Sequence, residues 1–441
     1  MGDATLLSAR ESDDLQRRAA GALLGRGLRA GDRVAFALTS SLDLLSAILG
    51  AARVGIVPVV LHAELLDHER DALLADADAR VDVLDAAALS SLLDGPPVDL
   101  APHPLARPMH YTSGTSGRPK GVWSGVLDEG DAKALYADES EQWHFAADDV
   151  HLVCSPLHHS ASIRFAAGTL LAGGDVVLLE KFTPDGAVAA IEEHQPTTSF
   201  MAPAHLQRLG AHGWPNLSSF RLVAHAGSPC PSDLKRSALD AFPSGTLWEF
   251  YGATEGQLTA CASEEWLERP GTVGRARSGR RLEIDDAGVV WCQAPAFARF
   301  EYWRDPAKTA AAWREDAFTV GDLGHLDDDG YLYLDGRRDD LIITGGVNVY
   351  PVEVEQVLAA CPGVIEVAVF GVDDERWGQR VCAAVVIDGS FDVAVVKEWA
   401  RDHVAGHKRP KDVYVIDVLP RTSTGKLRRL ALPAVLGLDA P

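Results

Sequence analysis

Short apolar runs alternate with amphipathic stretches through most of the chain. Arg33-Val34-Ala35-Phe36-Ala37-Leu38 reads as a buried strand, Ser40 to Val54 as a helix, and Val57 to Leu61 as the next strand. A helix is predicted from His68 to Ala77 and a strand from Val81 to Leu84. Ahead of these, Ser12-Asp13-Asp14 predicts a helix start, since carboxylates favour the positive end of the dipole, with the helix running from Leu15 to Leu28. Further on, helices are predicted at Ala132 to Phe145, Ile163 to Leu171 and Ala187 to His194. Strands are predicted at Val150 to Cys154, Asp175 to Leu179, Thr198 to Met201, Leu222 to His225 and Leu247 to Phe250. Alternation of this kind implies parallel strands joined by helical crossovers. From Gly271 to Asp335 the texture changes to short β segments with turn signals, and Gly336 to Asp340 is a charged break. Beyond it come a helix at Pro351 to Ala360, strands near Val364 to Phe370 and Val381 to Ile387, a helix at Val393 to Val404 and a strand at Asp412 to Asp417. The expected fold is α/β: a large N-terminal domain, residues 1–338, with a small β part, and a small α+β C-terminal domain, residues 339–441.

Composition narrows the partners. The 441 residues carry a net charge of −22. Nucleic acids and anionic membranes reward a basic face, so neither is expected as a partner. No apolar run reaches membrane-spanning length, and the N-terminus lacks the basic and apolar regions of a signal peptide. The six cysteines show no CxxC spacing, so they predict reduced thiols in a cytoplasmic protein, not a zinc site. An anionic nucleotide would need a locally positive pocket or a bound Mg²⁺.

Four stretches carry the candidate chemistry. The first is Tyr111 to Lys120, YTSGTSGRPK. Thr112, Ser113, Thr115 and Ser116 offer hydroxyls, and Gly114 and Gly117 let the backbone approach a ligand. Successive N–H groups in such a turn cradle anions, and Lys120 adds a point charge. Pro119 before Lys120 and Gly121 after it exclude the P-loop of nucleoside triphosphatases. The second is YGATEG, Tyr251 to Gly256, which follows a strand, as does the Gly227-Ser228 turn. Ligands in open α/β sheets sit beyond such strand ends. The third runs TVGDLGHLDDDGYLYLDGRRDDLIITGGVNVYP and the fourth PRTSTGKLRR. Alone, each has an ordinary explanation: a surface turn, a tight turn, a cap or ion pair, a solvated basic tail.

Together and in this order, the four resemble the signatures of the adenylate-forming superfamily, which includes acyl- and aryl-CoA synthetases. The resemblance spans roughly Leu15 to Arg429. It implies ATP, Mg²⁺ and CoA as the small molecules used. It assigns the 112–117 loop with Lys120, and also Gly227, Ser228 and Gly252, to the nucleotide. Tyr251 is assigned to adenine stacking, Thr254 to a phosphate, Glu255 to Mg²⁺, Asp322 to the ribose hydroxyls and Arg337 to ribose and phosphate. Lys426 is implied to swing in on a mobile small domain that pivots at Asp339. Gly346 would then face the site and leave room for a pantetheine arm, with any carrier protein acting in trans. His159 matches a gate residue of acyl-CoA synthetases, and His158, Arg164, His225 and Ala253 complete the expected substrate pocket. The chain is shorter than a full member, clipped between Asp85 and Pro108 and between Arg277 and Trp291. The leading expectation is a ligase that adenylates a small polar or aromatic acid and passes it to CoA. Two alternatives stand beside it: adenylation of nitrite for transfer to an aromatic amine in secondary metabolism, and a non-catalytic nucleotide-binding relative.

Overall fold

A computed structural model of the chain describes residues 4–112, 120–337, 340–344, 347–374, 376–389, 392–421 and 427–438. Its internal contacts divide the chain into two units. One comprises Met1–Leu282, Cys292–Phe318 and Asp328–Leu332. The other comprises Glu283–Trp291, Thr319–Asp327 and Tyr333–Pro441. The expected pivot, Asp339, lies outside the described residues.

The first unit is built on a sheet in the order Ala4–Leu7, Asp175–Leu179, Val150–Val153, Thr198–Met201, Leu222–His225, Leu247–Glu249. Only the Ala4–Leu7 edge strand runs antiparallel to its neighbour. Parallel pairing demands long crossovers, which the helices supply. Helices Pro184–His194, Pro203–His212 and Ser232–Ala241 bury Ile191, Leu206, Leu209 and Ala238 in a core that also holds Leu152, Val177 and Val223 of the sheet. A second core joins Val153, Val176 and Leu178 to helices Ala9–Gly25, Leu42–Arg53 and Ser160–Ala172. It continues into Val34, Phe36, Val60 and Val83 of a separate parallel sheet ordered Val57–Val60, Arg33–Phe36, Val81–Val83. Strands covered on both faces read as unbroken apolar runs, which is why they were legible.

The first helix begins earlier than Ser12. Ser8 is its N-cap: Glu11 N–H donates to Ser8 Oγ at 3.3 Å, and Ser8 N–H donates back to Glu11 Oε2 at 3.1 Å. This S-x-x-E capping box outcompetes the downstream Ser-Asp-Asp signal. Ser12 is instead buried within the helix, 3.1 Å from Ser46 Oγ. Helices Ala86–Leu93, Pro203–His212 and Ser232–Ala241 were not anticipated.

In the second unit, strands Val347–Val349, Ile342–Thr344, Gly378–Ile387 and Val364–Asp374 pair antiparallel, and Asp412–Val415 pairs parallel to Gly378–Ile387. Helices Pro351–Ala359 and Val393–His403 cover this sheet through Val354, Leu358, Val396 and Ala400. The α+β expectation is met.

Candidate active site

The site is assembled from two turns and a small sheet of the first unit. His110–Thr112 and Lys120–Trp123 pair antiparallel, with Thr112 opposite Lys120. Residues 113–119, the body of the expected phosphate loop, lie outside the described residues, yet both their flanks are anchored at one register position. Strand Glu301–Tyr302 pairs with the other edge of Lys120–Trp123, setting Tyr302 opposite Val122.

That pairing places Tyr302 to reach the second turn. Tyr251 to Gln257 folds back tightly: Ala253 N–H donates to Gly256 O at 2.8 Å, Gly256 N–H returns to Ala253 O at 3.2 Å, and Gly252 bridges Gln257. A side chain at Gly252 would lie 2.5 Å from Gly256 O, so glycine is required for the turn to close. Glu255 is buried at the turn, and its Oε1 accepts from the Tyr302 hydroxyl at 2.8 Å. The Tyr302 ring is flanked by Lys120 Nζ at 5.8 Å and Lys308 Nζ at 5.2 Å from its centroid. Two cations and one oriented carboxylate thus collect in a strongly acidic chain. One carboxylate beside cationic side chains fits a hard cation that keeps its other ligands on water and phosphate. Gly227, at φ +98°, ends the turn after Leu222–His225 and faces open space, with Ser228 exposed beside it. A nucleotide can approach that backbone closely.

Tyr302 was missed because its role comes from strand pairing with a distant hairpin. Lys308, in the helix Pro306–Ala312 that follows this strand, escaped for the same reason.

The histidines gather at the start of helix Ser160–Ala172. His159 is its N-cap residue, and its ring centroid lies 4.2 Å from that of His158, which lies 4.3 Å from His62. His110 Nδ1 is 2.9 Å from His158 O. Burial, then the neighbouring histidines, lower His158 to about 2, and burial lowers His110 to about 3. Both rings are therefore neutral near pH 7. Arg164 is a half-buried residue of the same helix.

His225 departs from its expected place in the pocket. It is fully buried, and its Nε2 accepts from Lys235 Nζ, which also donates to Glu249 Oε2 at 3.2 Å. Burial and Lys235 hold His225 well below its ordinary pKa. The lysine on the adjoining helix claims the ring because Glu249 draws its ammonium between strands Leu222–His225 and Leu247–Glu249.

In the second unit, Asp322 is buried at the start of strand Asp322–Leu326, which pairs with Leu332–Arg337. The two proposed ribose contacts thus lie on paired strands. Lys426 and Gly346 lie outside the described residues. Arg421 and Leu427, on either side of that stretch, form an antiparallel bridge.

Residues 2–99 and 93–291 match the AMP-binding enzyme family, and residues 353–426 match the AMP-binding enzyme C-terminal domain. The chain belongs to the AMP-binding enzyme family. This AMP-binding enzyme is 33% identical to a feruloyl-CoA synthase of an Amycolatopsis species, covering 96% of this chain and 92% of the relative. It shares 33% identity, with the same coverages, with the indoleacetate–CoA ligase of Aromatoleum aromaticum. Among solved structures, the o-succinylbenzoate CoA synthetase of Bacillus subtilis, in complex with its acyl-adenylate intermediate, superposes with a TM-score of 0.87 at 25% identity, covering 98% of this chain and 93% of that one. ATP-bound MatB of Rhodopseudomonas palustris superposes at 0.83 with 29% identity, covering 98% and 93%. Membership in this family makes the chain an AMP-forming ligase.

Proposed function

We propose that this enzyme adenylates a small aromatic or polar carboxylic acid with ATP, releases pyrophosphate, and transfers the acyl group to CoA. The observation that carries the reading is the Glu255–Tyr302 pair beside Lys120. It supports a place where two anions, a carboxylate and an ATP α-phosphate, can meet with their repulsion screened. Mg²⁺ would be held by Glu255 and by the phosphates, supplying charge neutralisation there. Lys120 and Lys308 add fixed positive field, and the Tyr302 hydroxyl holds the carboxylate in one orientation. Tyr251 offers a face for adenine, and the exposed Gly227-Ser228 turn offers backbone and hydroxyl donors. Asp322 and Arg337 are the proposed ribose contacts, and Lys426 the proposed partner of the reacting oxygens. His158 and His159, at a helix start, are proposed to border the acid. Similarity to aryl-CoA ligases supports CoA as acceptor.

Pyrophosphate release with a panel of aryl and short polar acids, followed by thioester detection with CoA, tests the proposal. Lys426→Ala is expected to lower ATP–pyrophosphate exchange by at least about a hundredfold, the range seen when one transition-state donor is removed. Undiminished exchange in that variant would remove Lys426 from the first step.

A further inference from the structure

Asp138 and Glu139 stand side by side in helix Glu129–Trp143, and four arginines crowd them. Two of the four take the hydrogen bonds of both acids, although Glu139 is also the leading opposite charge beside Arg164. Asp138 accepts from Arg280 Nη1 and Nη2 at 2.8 and 2.9 Å and from Arg277 Nη2 at 3.1 Å. Glu139 Oε1 accepts from Arg277 Nη1 at 3.2 Å. Arg107 and Arg164 have no such contact: among the described residues, neither forms an ion pair or a side-chain hydrogen bond. Four guanidiniums against two carboxylates leave two positive charges over.

The surplus sits where solvent is scarce. By surface area Arg107 and Arg164 are only half-buried. Yet loss of solvent is the largest influence on each, pushing Arg107 down to about 10 with Arg164 as its second cause, and lowering Arg164 as well. Each guanidinium is thus reachable by solvent yet short of the water that would screen its charge. Several buried polar atoms have no hydrogen-bond partner among the described residues: Trp143 Nε1, Gln257 Nε2, Ser162 Oγ and Glu139 Oε2. Arg277 ties three of them together, since it donates to Glu139 Oε1, touches Gln257 Oε1 and lies 5.9 Å from the Trp143 ring centroid, while Ser162 stands two residues before Arg164 in its helix. Folded proteins leave few such atoms, so several in one place need an explanation. Three of these four can donate. Gln257 also sits two residues beyond Glu255, on the turn of the reaction site.

We propose that Arg107 and Arg164 form a subsite for a second carboxylate on the acid that is adenylated, so that the substrate is a dicarboxylic acid. This rests on the adenylating function proposed above. A guanidinium fork matches a carboxylate bidentately. A monoacid in the same site would leave both cations without a substrate carboxylate, which is how a site built for a polar group rejects an analogue lacking it. In a chain of net charge −22, such a local surplus is also what lets a dianion enter.

The test compares dicarboxylates with their monoamides, which keep the shape and one carboxylate but lose the second charge. Pyrophosphate release is measured with malonate through adipate, with the three benzenedicarboxylates, and with the monoamide of each. At least one dicarboxylate is expected to exceed its monoamide in kcat/KM by about a hundredfold or more. In Arg164→Gln, and separately in Arg107→Gln, that ratio is expected to collapse toward one, through KM more than kcat, with partial recovery in Arg164→Lys. Should one glutamine variant fail to fold by circular dichroism, the other, on a different segment, carries the same comparison. A wild-type enzyme that turns over monoacids and monoamides as well as dicarboxylates overturns the subsite while leaving adenylation standing. Equal losses for both members of a pair in the variants also overturn it, since that marks a structural role. Release with no acid of any class overturns the adenylating reading and the subsite with it. Addition of free acetate alongside a monoamide should not restore the dicarboxylate rate; if it does, the arginines hold a separate anion and the proposal fails.

Discussion

A single hydroxyl links the two halves of the proposed reaction site. Tyr302 donates to Glu255 at 2.8 Å from a strand held against the hairpin that ends in Lys120. Hydrogen bonds to charged groups are worth roughly 1.5–3 kcal/mol, or about ten- to a hundredfold in rate if the carboxylate must be held for the transition state. Tyr302→Phe is therefore expected to lower kcat for pyrophosphate release by about that factor and to raise the Mg²⁺ concentration needed for half-maximal rate. An unchanged Mg²⁺ dependence would separate the tyrosine from the metal site. Glu255 was legible in the sequence because YGATEG is a local pattern. Tyr302 was not, because nothing in the residues around it records the partner strand. The same holds for Lys235, a helix residue whose ammonium joins His225 to Glu249 only after two strands and a helix have packed.

At the scale of elements, close approach between helices is set by residues too small to notice in a hydropathy pattern. Gly50, in helix Leu42–Arg53, faces the Ala9–Gly25 helix so closely that a Cβ would stand 2.4 Å from Gln16 O. Backbone cannot yield as a flexible side chain can. Gly50→Ala should thus destabilise the protein by about 1–3 kcal/mol despite its better helix propensity, through overpacking. Chemical denaturation decides this: a stabilised variant would mean that the two helices separate without cost. Strands were legible almost to the residue where both faces are buried, as at Asp175–Leu179 and Leu222–His225. Helices such as Ser232–Ala241 were harder to find, since only one stripe is apolar and the N-cap, Pro231, contributes no side-chain hydrogen bond.

For the whole molecule, burial of histidines fixes the response to acid. Burial lowers His110 and His151 to about 3 and His205 to about 4, from about 6.5. Each is neutral in the folded state and takes up a proton on unfolding once pH falls below about 6.5. The unfolded state then binds more protons, so stability falls as pH drops from about 6.5 toward 4 and then 3. Each such histidine adds about 1.4 kcal/mol per pH unit to that slope. Urea unfolding at about pH 7, 6 and 5 should show stability falling across the series, and His151→Leu should flatten the slope by roughly one proton. An unaltered slope in that variant would show His151 to be protonated in the folded state. Residue His151 suits the test because it is buried within the sheet, with Nδ1 2.9 Å from Thr198 Oγ1.

What the chain alone determined was everything written in local order: alternating strands and helices, the four glycine- and charge-bearing turns, the acidic surface, and through them the family. These depend on backbone preferences and burial periodicity, which act over a few neighbouring residues. Only the tertiary structure decided which distant side chains meet. It set Tyr302 on Glu255, gave His225 to Lys235, and left Arg107 and Arg164 without a hydrogen-bonded acid among the described residues. Those residues stand 10 to 57 positions apart, and a side chain's charge or hydroxyl carries no mark of its partner until packing has brought the two within a few ångströms.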